Sequence, residues 1–478
     1  MTAAKKTTKS TPKKSTKKLS KVVSDKIVGK KTGIVKEPIM LQSVRGMRDI
    51  LPGEQSYWQQ ARNVLKHEAE EYGFGRVDVP IIEFENLYRQ PIGEQTEMVE
   101  REFYSFKTRG RDNVVLRPDF TPAVARTYLQ HSMNMLSQPI KLFSMGPSYR
   151  YDRPAEGRYR EFHQANYDIF GEHDPVLDAQ VIQIAYRVLQ KLGIKNVQFQ
   201  VNSIGTRESR EQYSDLLKSY FLSKKNKLPS KYRDIIETDP LRIFDATDDK
   251  TVQVCAGAPQ AIDHLDKESR EHFKNLLEYL DELDLPYMIN PMLNRGMEYY
   301  TRTVFEIFAT DEKGMKHALG GGGRYDDLIE SFGGEPTPAI GFAFGIDRLV
   351  LEMKRLKTKS YKPPRPRVYL AQLGDLAKKK SLRIFADIEN AGILVAESFG
   401  RGNLKEQMEQ AVKMGVEVTL IVGQKEALDS TVIVKNMHTG TQETIPREKV
   451  IEAVKNAMKQ SIVVKKTKPK PKAQQSKK

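Results

Sequence analysis

Apolar residues along this chain change period several times, and the changes divide it into segments. From Glu54 to Tyr72, Trp58, Ala61, Val64, Leu65 and Ala69 recur at three- and four-residue intervals, which predicts a helix with one apolar face. The turn Gly46-Met47-Arg48-Asp49-Ile50-Leu51-Pro52-Gly53 leads into it. Beyond Gly73 and Gly75 comes a short apolar run, Val77–Ile82, read as a strand. Pro80 removes one ladder donor, which places that strand at an edge or an interface. Strand-like runs recur at Val114–Arg117, Ile140–Ser144, Tyr167–Phe170, Thr303–Phe308 and Ile340–Gly345. Their spacing is irregular, with hairpins and long insertions rather than regular strand–helix alternation. That predicts an α+β fold: a mostly antiparallel sheet flanked by helices.

Residues 205–284 break the pattern with charged, helix-rich sequence such as Glu268–Leu285, the mark of an inserted domain. Near Lys354–Pro366 the composition turns to Lys, Ser and Pro, and Pro363-Pro364-Arg365-Pro366 reads as a stiff linker. A regular α/β alternation follows. Val368–Leu373, Ile393–Ser398 and Glu417–Val422 are expected as strands around helices Leu376–Asn390 and Leu404–Met414. Thr431–Lys435 is expected to pair with Glu443–Ile445 before a closing helix, Lys449–Lys459. The expected division is a core of residues 39–204 and 285–355, an insertion over 205–284, a linker over 356–366 and an α/β domain over 367–460. Tails at 1–38 and 461–478 flank these.

Composition sharpens the picture in two places. The chain carries +16, but residues 1–36 hold twelve lysines and one aspartate, and residues 461–478 hold seven lysines and no acid. Removing those 18 charges leaves about −2 for everything between, so the basicity belongs to the tails. Both tails are rich in Lys, Ser, Thr, Pro and Gln and are expected to be disordered. They read either as an electrostatic RNA tether, since lysines displace counterions from phosphates, or as a solvated extension. Residues 1–36 contain no arginine, unlike a mitochondrial presequence. The single cysteine, Cys255, excludes an internal disulfide and argues for a reducing, cytoplasmic setting. No apolar run reaches the ~18 residues of a membrane helix.

Two stretches carry the chemistry. Arg295-Gly296-Met297-Glu298-Tyr299-Tyr300 and Arg158-Tyr159-Arg160-Glu161-Phe162-His163-Gln164 each pack arginine, aromatic and amide or acidic side chains closely. Such a set suits an amino acid held beside a nucleoside triphosphate: guanidinium groups grip phosphate and carboxylate, rings stack on bases, and amides or acids hold an ammonium group. Alone, either stretch reads equally as a salt-bridged surface strand. The run Gly320-Gly321-Gly322-Gly323-Arg324-Tyr325-Asp326 lacks the lysine of a P-loop, so a P-loop ATPase is disfavoured. By itself it reads as a flexible turn allowing close backbone approach to a ligand.

Over residues about 40–460 the chain resembles the histidyl-tRNA synthetases, a family of class II aminoacyl-tRNA synthetases. Tyr72–Glu83 resembles the first class motif, which builds the family's dimer interface. Gly146-Pro147-Ser148-Tyr149-Arg150 through Gln164 resembles the second, and Ala339 to Arg348 the third. Leu293–Glu306 and Gly320–Leu328 resemble the two histidine signatures. The resemblance implies ATP with Mg²⁺ as cosubstrate, L-histidine and histidine tRNA as substrates, and a homodimer. It places Arg150 across the α-phosphate and the attacking carboxylate, Arg295 as a second cation there, Arg348 on the γ-phosphate and Phe162 under adenine. Asp152 stands where the family often has glutamate near the nucleotide. In Arg117-Pro118-Asp119-Phe120-Thr121, Asp119 and Thr121 are implied at the α-ammonium group with Phe120 beside them, and Gln164 between ammonium and carboxylate. Asp168, Tyr299 and Tyr300 are implied around the imidazole, though Tyr299 and Tyr300 also read as a strand pair with a ring in the core. A site that pairs a polar side chain rejects analogues lacking it by ~10⁴ or more in favourable cases.

Arg153, Arg158 and Arg160, around Pro154-Ala155-Glu156-Gly157, resemble the loop that meets the tRNA acceptor stem, or form a solvated basic hairpin. Ala155 offers it no side-chain hydrogen bond. Residues 367–460 resemble the family's anticodon-binding domain, where Phe399, Arg401 and Lys405 are candidates for stacking and backbone contacts. His163, beside Gln164, reads as a structural hydrogen-bonder. The insertion near Ser203-Ile204-Gly205-Thr206 lacks the cysteines some relatives carry, so no zinc is expected. The rival reading is a non-catalytic paralogue regulating the first enzyme of histidine biosynthesis. Such proteins commonly lose the signature arginine and the C-terminal domain, and this chain keeps Arg295 and residues 367–460. A simple RNA-binding module is the third reading.

Overall fold

A computed structural model describes residues 41–94, 96–246, 248–312, 314–400 and 403–467. The lysine-rich segment 1–38 lies outside them. Among the described residues eleven strands precede the linker: β1 (Gly75–Arg76), β2 (Ile82–Phe84), β3 (Ser105–Lys107), β4 (Asn113–Leu116), β5 (Ile140–Tyr149), β6 (Glu161–Phe170), β7 (Val197–Ser203), β8 (Tyr287–Ile289), β9 (Thr301–Thr310), β10 (Lys316–Arg324) and β11 (Ala339–Gly345). Eight form one sheet in the order β1-β5-β6-β11-β10-β9-β7-β8, antiparallel except at its two edges. The other three form a small sheet, β2-β4-β3. So Val114–Arg117, read as one strand among several, belongs to a separate sheet.

One face of the large sheet is apolar. Helices Gln55–Glu71, Val176–Leu192, Lys267–Glu282 and Ile346–Arg355 pack there, and Trp58, Ala61, Leu65 and Ala69 of the first are buried as the periodicity predicts. Each large apolar side chain so buried is worth ~1.5–3 kcal/mol. Helix Lys267–Glu282 sends Phe273, Leu276 and Leu280 into this same core, although the sequence assigns it to the insertion. The rest of the insertion has its own cluster, built on Tyr213, Leu217, Phe221, Ile236 and Ile243.

Two expectations are corrected. Val77–Ile82 is not a strand; only Gly75–Arg76 and Ile82–Phe84 enter ladders. The carbonyls of Val79 and Pro80 accept instead from the Arg117 guanidinium at 2.6 and 3.1 Å, and that of Ile81 from the Arg117 amide. The Gly320–Gly323 run is not a turn but part of the second half of β10, between β9 and β11. A Cβ on Gly322 would lie 2.0 Å from the Gly341 carbonyl oxygen, so only glycine lets these strands approach.

After the linker, β12 (Val368–Gln372), β13 (Val395–Glu397), β14 (Val418–Val422), β15 (Thr431–Asn436) and β16 (Gln442–Pro446) form a second sheet, β13-β12-β14-β15-β16. β12 runs parallel to β13 and β14, and the last two strands are antiparallel. Val368 and Leu370 face one core while Tyr369 and Ala371 face another beneath helix Leu404–Met414. A further helix, Gln424–Asp429, was not expected. The closing helix runs Val450–Thr467, so residues 461–467 of the expected tail are helical and 468–478 lie outside the described residues. Among the described residues no helix is long and apolar enough to cross a membrane.

Candidate active site

The second face of the large sheet opens into a cavity of about 570 Å³. Its floor follows from strand register. Ser144, Asn166, Ala343, Gly321 and Glu306 form one row across β5, β6, β11, β10 and β9. Small residues in the middle of this row leave space above the sheet. A Cβ on Gly321 would meet the Arg295 guanidinium at 3.0 Å. In the next row Gly341 lies opposite Asp168, and a Cβ there would fall 2.6 Å from the Tyr325 hydroxyl. The glycine keeps room for Tyr325 to donate to Asp168 at 2.6 Å.

Arg150, Arg295 and Arg348 line this one cavity, although 198 positions separate the first and last in sequence. Arg150 leaves the end of β5, donates through Nε to the Pro118 carbonyl at 2.9 Å and lies 5.4 Å over the Phe162 ring. Arg295 comes from the irregular segment before β9. Its guanidinium lies 5.5 Å over Tyr300 and 3.7 Å from Glu306, and its Nε has no hydrogen-bond partner. Burial would lower the Arg295 pKa, but Tyr300 and Glu306 outweigh it and hold the group charged. Arg348 is fastened to the Gly157 and Ala318 carbonyls at 3.2 and 2.8 Å. Burial, then the like charge of Arg158, pushes its pKa down, and Arg150 and Arg295 add to this. Clustered cations that disfavour one another form a site for a polyanion.

The residues implied around histidine stand at two depths. Asp119, Thr121, Gln164 and Tyr300 line the cavity, and the Gln164 and Asn166 side-chain oxygens are buried without partners. Phe120, Asp168 and Tyr299 stand behind its wall. Tyr299 donates to Asp119 at 3.0 Å, and Thr121 and Tyr325 both donate to Asp168 Oδ1, at 3.1 and 2.6 Å. Asp168 is completely buried, which pushes its carboxyl up to about 7 against the pull of the Tyr325 hydrogen bond. Both of these bonds go to Oδ1, and Asp168 Oδ2 is buried without a hydrogen-bond partner. Phe120 stacks beneath the Arg117 guanidinium at 4.0 Å.

At the rim, Asp152 pairs with Arg158, a charge the sequence assigned to tRNA, and accepts the Arg153 amide at 2.5 Å. Arg153 and Arg158 are exposed, while Arg160 lies 3.6 Å over the Tyr151 ring. His163 packs edge-on against Trp58, and its amide donates to Asp347 at 2.8 Å. Among the polar lining residues, Glu102, Asn166, Glu306 and Tyr325 were given no site role from the sequence. Glu306 and Tyr325 sit inside the two signature segments, so their position was a usable signal. Glu102 had none; burial raises its pKa, partly offset by Arg150. In the C-terminal domain Lys405 is exposed at a helix start, Phe399 packs on Phe385 at 6.1 Å, and Arg401 lies outside the described residues.

An antiparallel sheet with helices behind it and a glycine-floored, arginine-ringed cavity in front is the plan of a class II aminoacyl-tRNA synthetase core. Residues 46–349 match the family described as histidyl-tRNA synthetase, and residues 367–457 match the anticodon binding domain. The chain belongs to the histidyl-tRNA synthetase family. It is 40% identical over 416 residues to a histidine–tRNA ligase of Dehalococcoides mccartyi, covering 87% of this chain and 99% of that one. A histidine–tRNA ligase of Desulforamulus reducens is 36% identical, covering 86% and 98%. The apo crystal structure of S. aureus histidyl-tRNA synthetase superposes with a TM-score of 0.72 at 31% identity, covering 87% of this chain and all of that one.

Proposed function

We propose that this chain activates L-histidine with ATP and transfers the histidyl group to the 3′ end of histidine tRNA. In the first step the histidine carboxylate bonds to the α-phosphorus and pyrophosphate leaves. In the second a terminal ribose hydroxyl attacks the acyl carbon and AMP leaves. The observation that carries the reading is the meeting of Arg150, Arg295 and Arg348 around one cavity that also holds the unpaired Gln164 oxygen. Two anions must approach there, and charge spreads over the phosphoryl oxygens as they react. Fixed cations at that point stabilise the transition state with little further chemistry from the protein.

In this reading Arg150 bridges carboxylate and α-phosphate, Arg295 faces the α-phosphate, Arg348 the γ-phosphate, and Phe162 the adenine. Mg²⁺ would accompany the triphosphate and neutralise its phosphate oxygens. Asp119, Thr121 and Gln164 hold the ammonium end, and Tyr300 meets the side chain. Asp168 and Tyr299 act by holding Tyr325, Thr121 and Asp119 in place. Asp152 is held at the rim by Arg158, so nucleotide contact there requires that pair to open. Arg153, Arg158 and Lys405 are the proposed tRNA contacts within the described residues, and the lysine-rich tails the proposed RNA tether in a cytoplasmic enzyme. Deleting residues 1–36 should flatten the salt dependence of tRNA binding; an unchanged slope would return that tail to a solvated extension.

A homodimer is proposed on the small sheet. Phe84 and Phe106 flank Val114 in one row, with Ile82 on the same face; Ile82, Phe84 and Phe106 are 49, 65 and 44% exposed. An apolar sheet face open to water calls for a partner. The deciding measurement is ATP–pyrophosphate exchange with each of the twenty amino acids. Exchange restricted to histidine is expected, and none with histidine would refute the reading.

A further inference from the structure

We propose that Arg210, on the helical insertion, is a positioning residue for histidine activation: it fixes the segment carrying Arg295 and Tyr300 through that segment's own backbone. Residues 290–300 have no ladder of their own, being turns and irregular chain between β8 and β9. Their backbone groups must find partners elsewhere. On the core side, Asn202 Nδ2 donates to the Pro291 and Leu293 carbonyls at 3.2 and 2.9 Å, and the Glu298 amide donates to the Ile92 carbonyl at 3.1 Å. The Asn290 amide donates likewise to the Val201 carbonyl at 2.9 Å. A further anchor comes from the insertion. Arg210 Nη1 donates to the Glu298 carbonyl at 3.1 Å and reaches the Tyr300 carbonyl at 3.5 Å. These carbonyls bracket Tyr299, whose hydroxyl holds Asp119, and the second belongs to Tyr300, which lies beneath the Arg295 guanidinium.

Arg210 can transmit position because its own base is fixed. It lies on helix Arg207–Ser223, whose N-cap Thr206 accepts the Ser209 amide. Just before that cap, the Ile204 amide donates to the Arg302 carbonyl at 2.8 Å and the Gly205 carbonyl accepts the Arg302 amide at 2.7 Å. The helix therefore starts from the edge of β9, and Arg210 reaches back one turn later. Tyr213, Leu241 and Phe244 close the space against Pro291–Asn294, leaving a void of about 10 Å³, room for no more than one water. Burial depresses the Arg210 pKa, yet Glu298 and Asp239 oppose that loss and favour its charge. Movement of the insertion relative to the sheet must then displace Arg295 and Tyr300, or break these two hydrogen bonds.

The inference rests on the proposed substrate-facing role of Arg295 and Tyr300. Its test is histidine-dependent ATP–pyrophosphate exchange by the full chain with Arg210→Ala, Arg210→Lys and Arg295→Ala, the first two normalised to active sites by adenylate burst and the third to folded protein. Both contacts come from one nitrogen, so a lysine ammonium can serve them. Small displacements of reacting groups cost up to about a hundredfold. Arg210→Ala should lower kcat/KM for histidine about 10- to 100-fold, leave KM for ATP within about twofold, and unfold at the wild-type temperature; Arg210→Lys should recover most of the loss. A merely structural role would lower the burst or the melting temperature while the surviving sites kept wild-type constants, and that result overturns the proposal. Wild-type histidine constants in Arg210→Ala, alongside a crippled Arg295→Ala, overturn it too. Full exchange in Arg295→Ala would instead overturn the site reading on which it rests.

Discussion

The two faces of the large sheet are built from the same strands and do opposite work. Along β6, Ala165, Tyr167 and Ile169 enter the apolar core, while Gln164 and Asn166 line the cavity and Asp168 backs it. Along β9, Phe305 and Ile307 are buried in the core and Glu306 between them faces the cavity. β11 sets Ile340 and Phe344 against Gly341, Ala343 and Gly345 in the same alternation. One face is close-packed and apolar; the other keeps small residues, polar side chains and like charges together at a cost in stability. Because side chains alternate with period two, a slip of one residue would exchange the two sets, so the packed face also holds the register of the reactive one.

If the faces are separate in this way, damage to each should read out differently. Phe305→Ala removes a completely buried ring and should cost about 3–5 kcal/mol of unfolding free energy in denaturant titrations, with exchange per folded molecule nearly retained. A small stability loss with a large catalytic one would abolish the division. Arg295→Ala should do the reverse. Removing one group that stabilises developing charge typically costs about 10²–10³ in rate, and the melting temperature should stay within a few degrees. Exchange within a few-fold of wild type would remove Arg295 from the site.

The two faces were also unequally legible. The packed one follows from local periodicity: the helix from Glu54, its buried Trp58 and Leu65, and in the C-terminal domain a helix over Leu404–Met414 with the observed limits. The glycine strand was illegible locally, because Gly320–Gly323 carries no apolar pattern and is extended only through the close approach of β9 and β11. Val77–Ile82 failed for a related reason: Arg117, forty residues away, takes the carbonyls a ladder would have used. The resemblance supplied the arginines, but not the wall behind them. Asp168 and Tyr299, which the resemblance implies around the imidazole, also hold Tyr325, Thr121 and Asp119, bonds that no local sequence pattern announces, since buried polar groups are satisfied by neighbours distant in sequence.

Two carboxylates carry the same contrast into pH dependence. Asp168 behind the cavity is held up to about 7 by burial, against an ordinary 3.8, so the folded protein binds the extra proton between those values. Its contribution to stability therefore falls as pH rises through that window. Measured against Asp168→Asn, which keeps an acceptor for Tyr325 without the charge, wild type should gain roughly 2–3 kcal/mol between pH 8 and pH 5. A gap independent of pH would show that Asp168 ionises normally. Asp266 caps helix Lys267–Glu282 on the packed face, accepting the Ser269 amide at 2.8 Å and the Ser209 hydroxyl at 2.9 Å. Burial alone would raise its pKa; hydrogen bonds from Ser269 and Ser209 outweigh this and bring it to about 2. The sign is reversed: its stabilisation is complete above about pH 4 and disappears as pH falls through 2. Asp266→Ala should cost about 0.5–2 kcal/mol at neutral pH, the usual worth of a helix cap, and the gap should close in acid. Were that gap instead to widen on acidification, the cap would be neutral in the folded protein, and the opposed signs of the two faces would be lost.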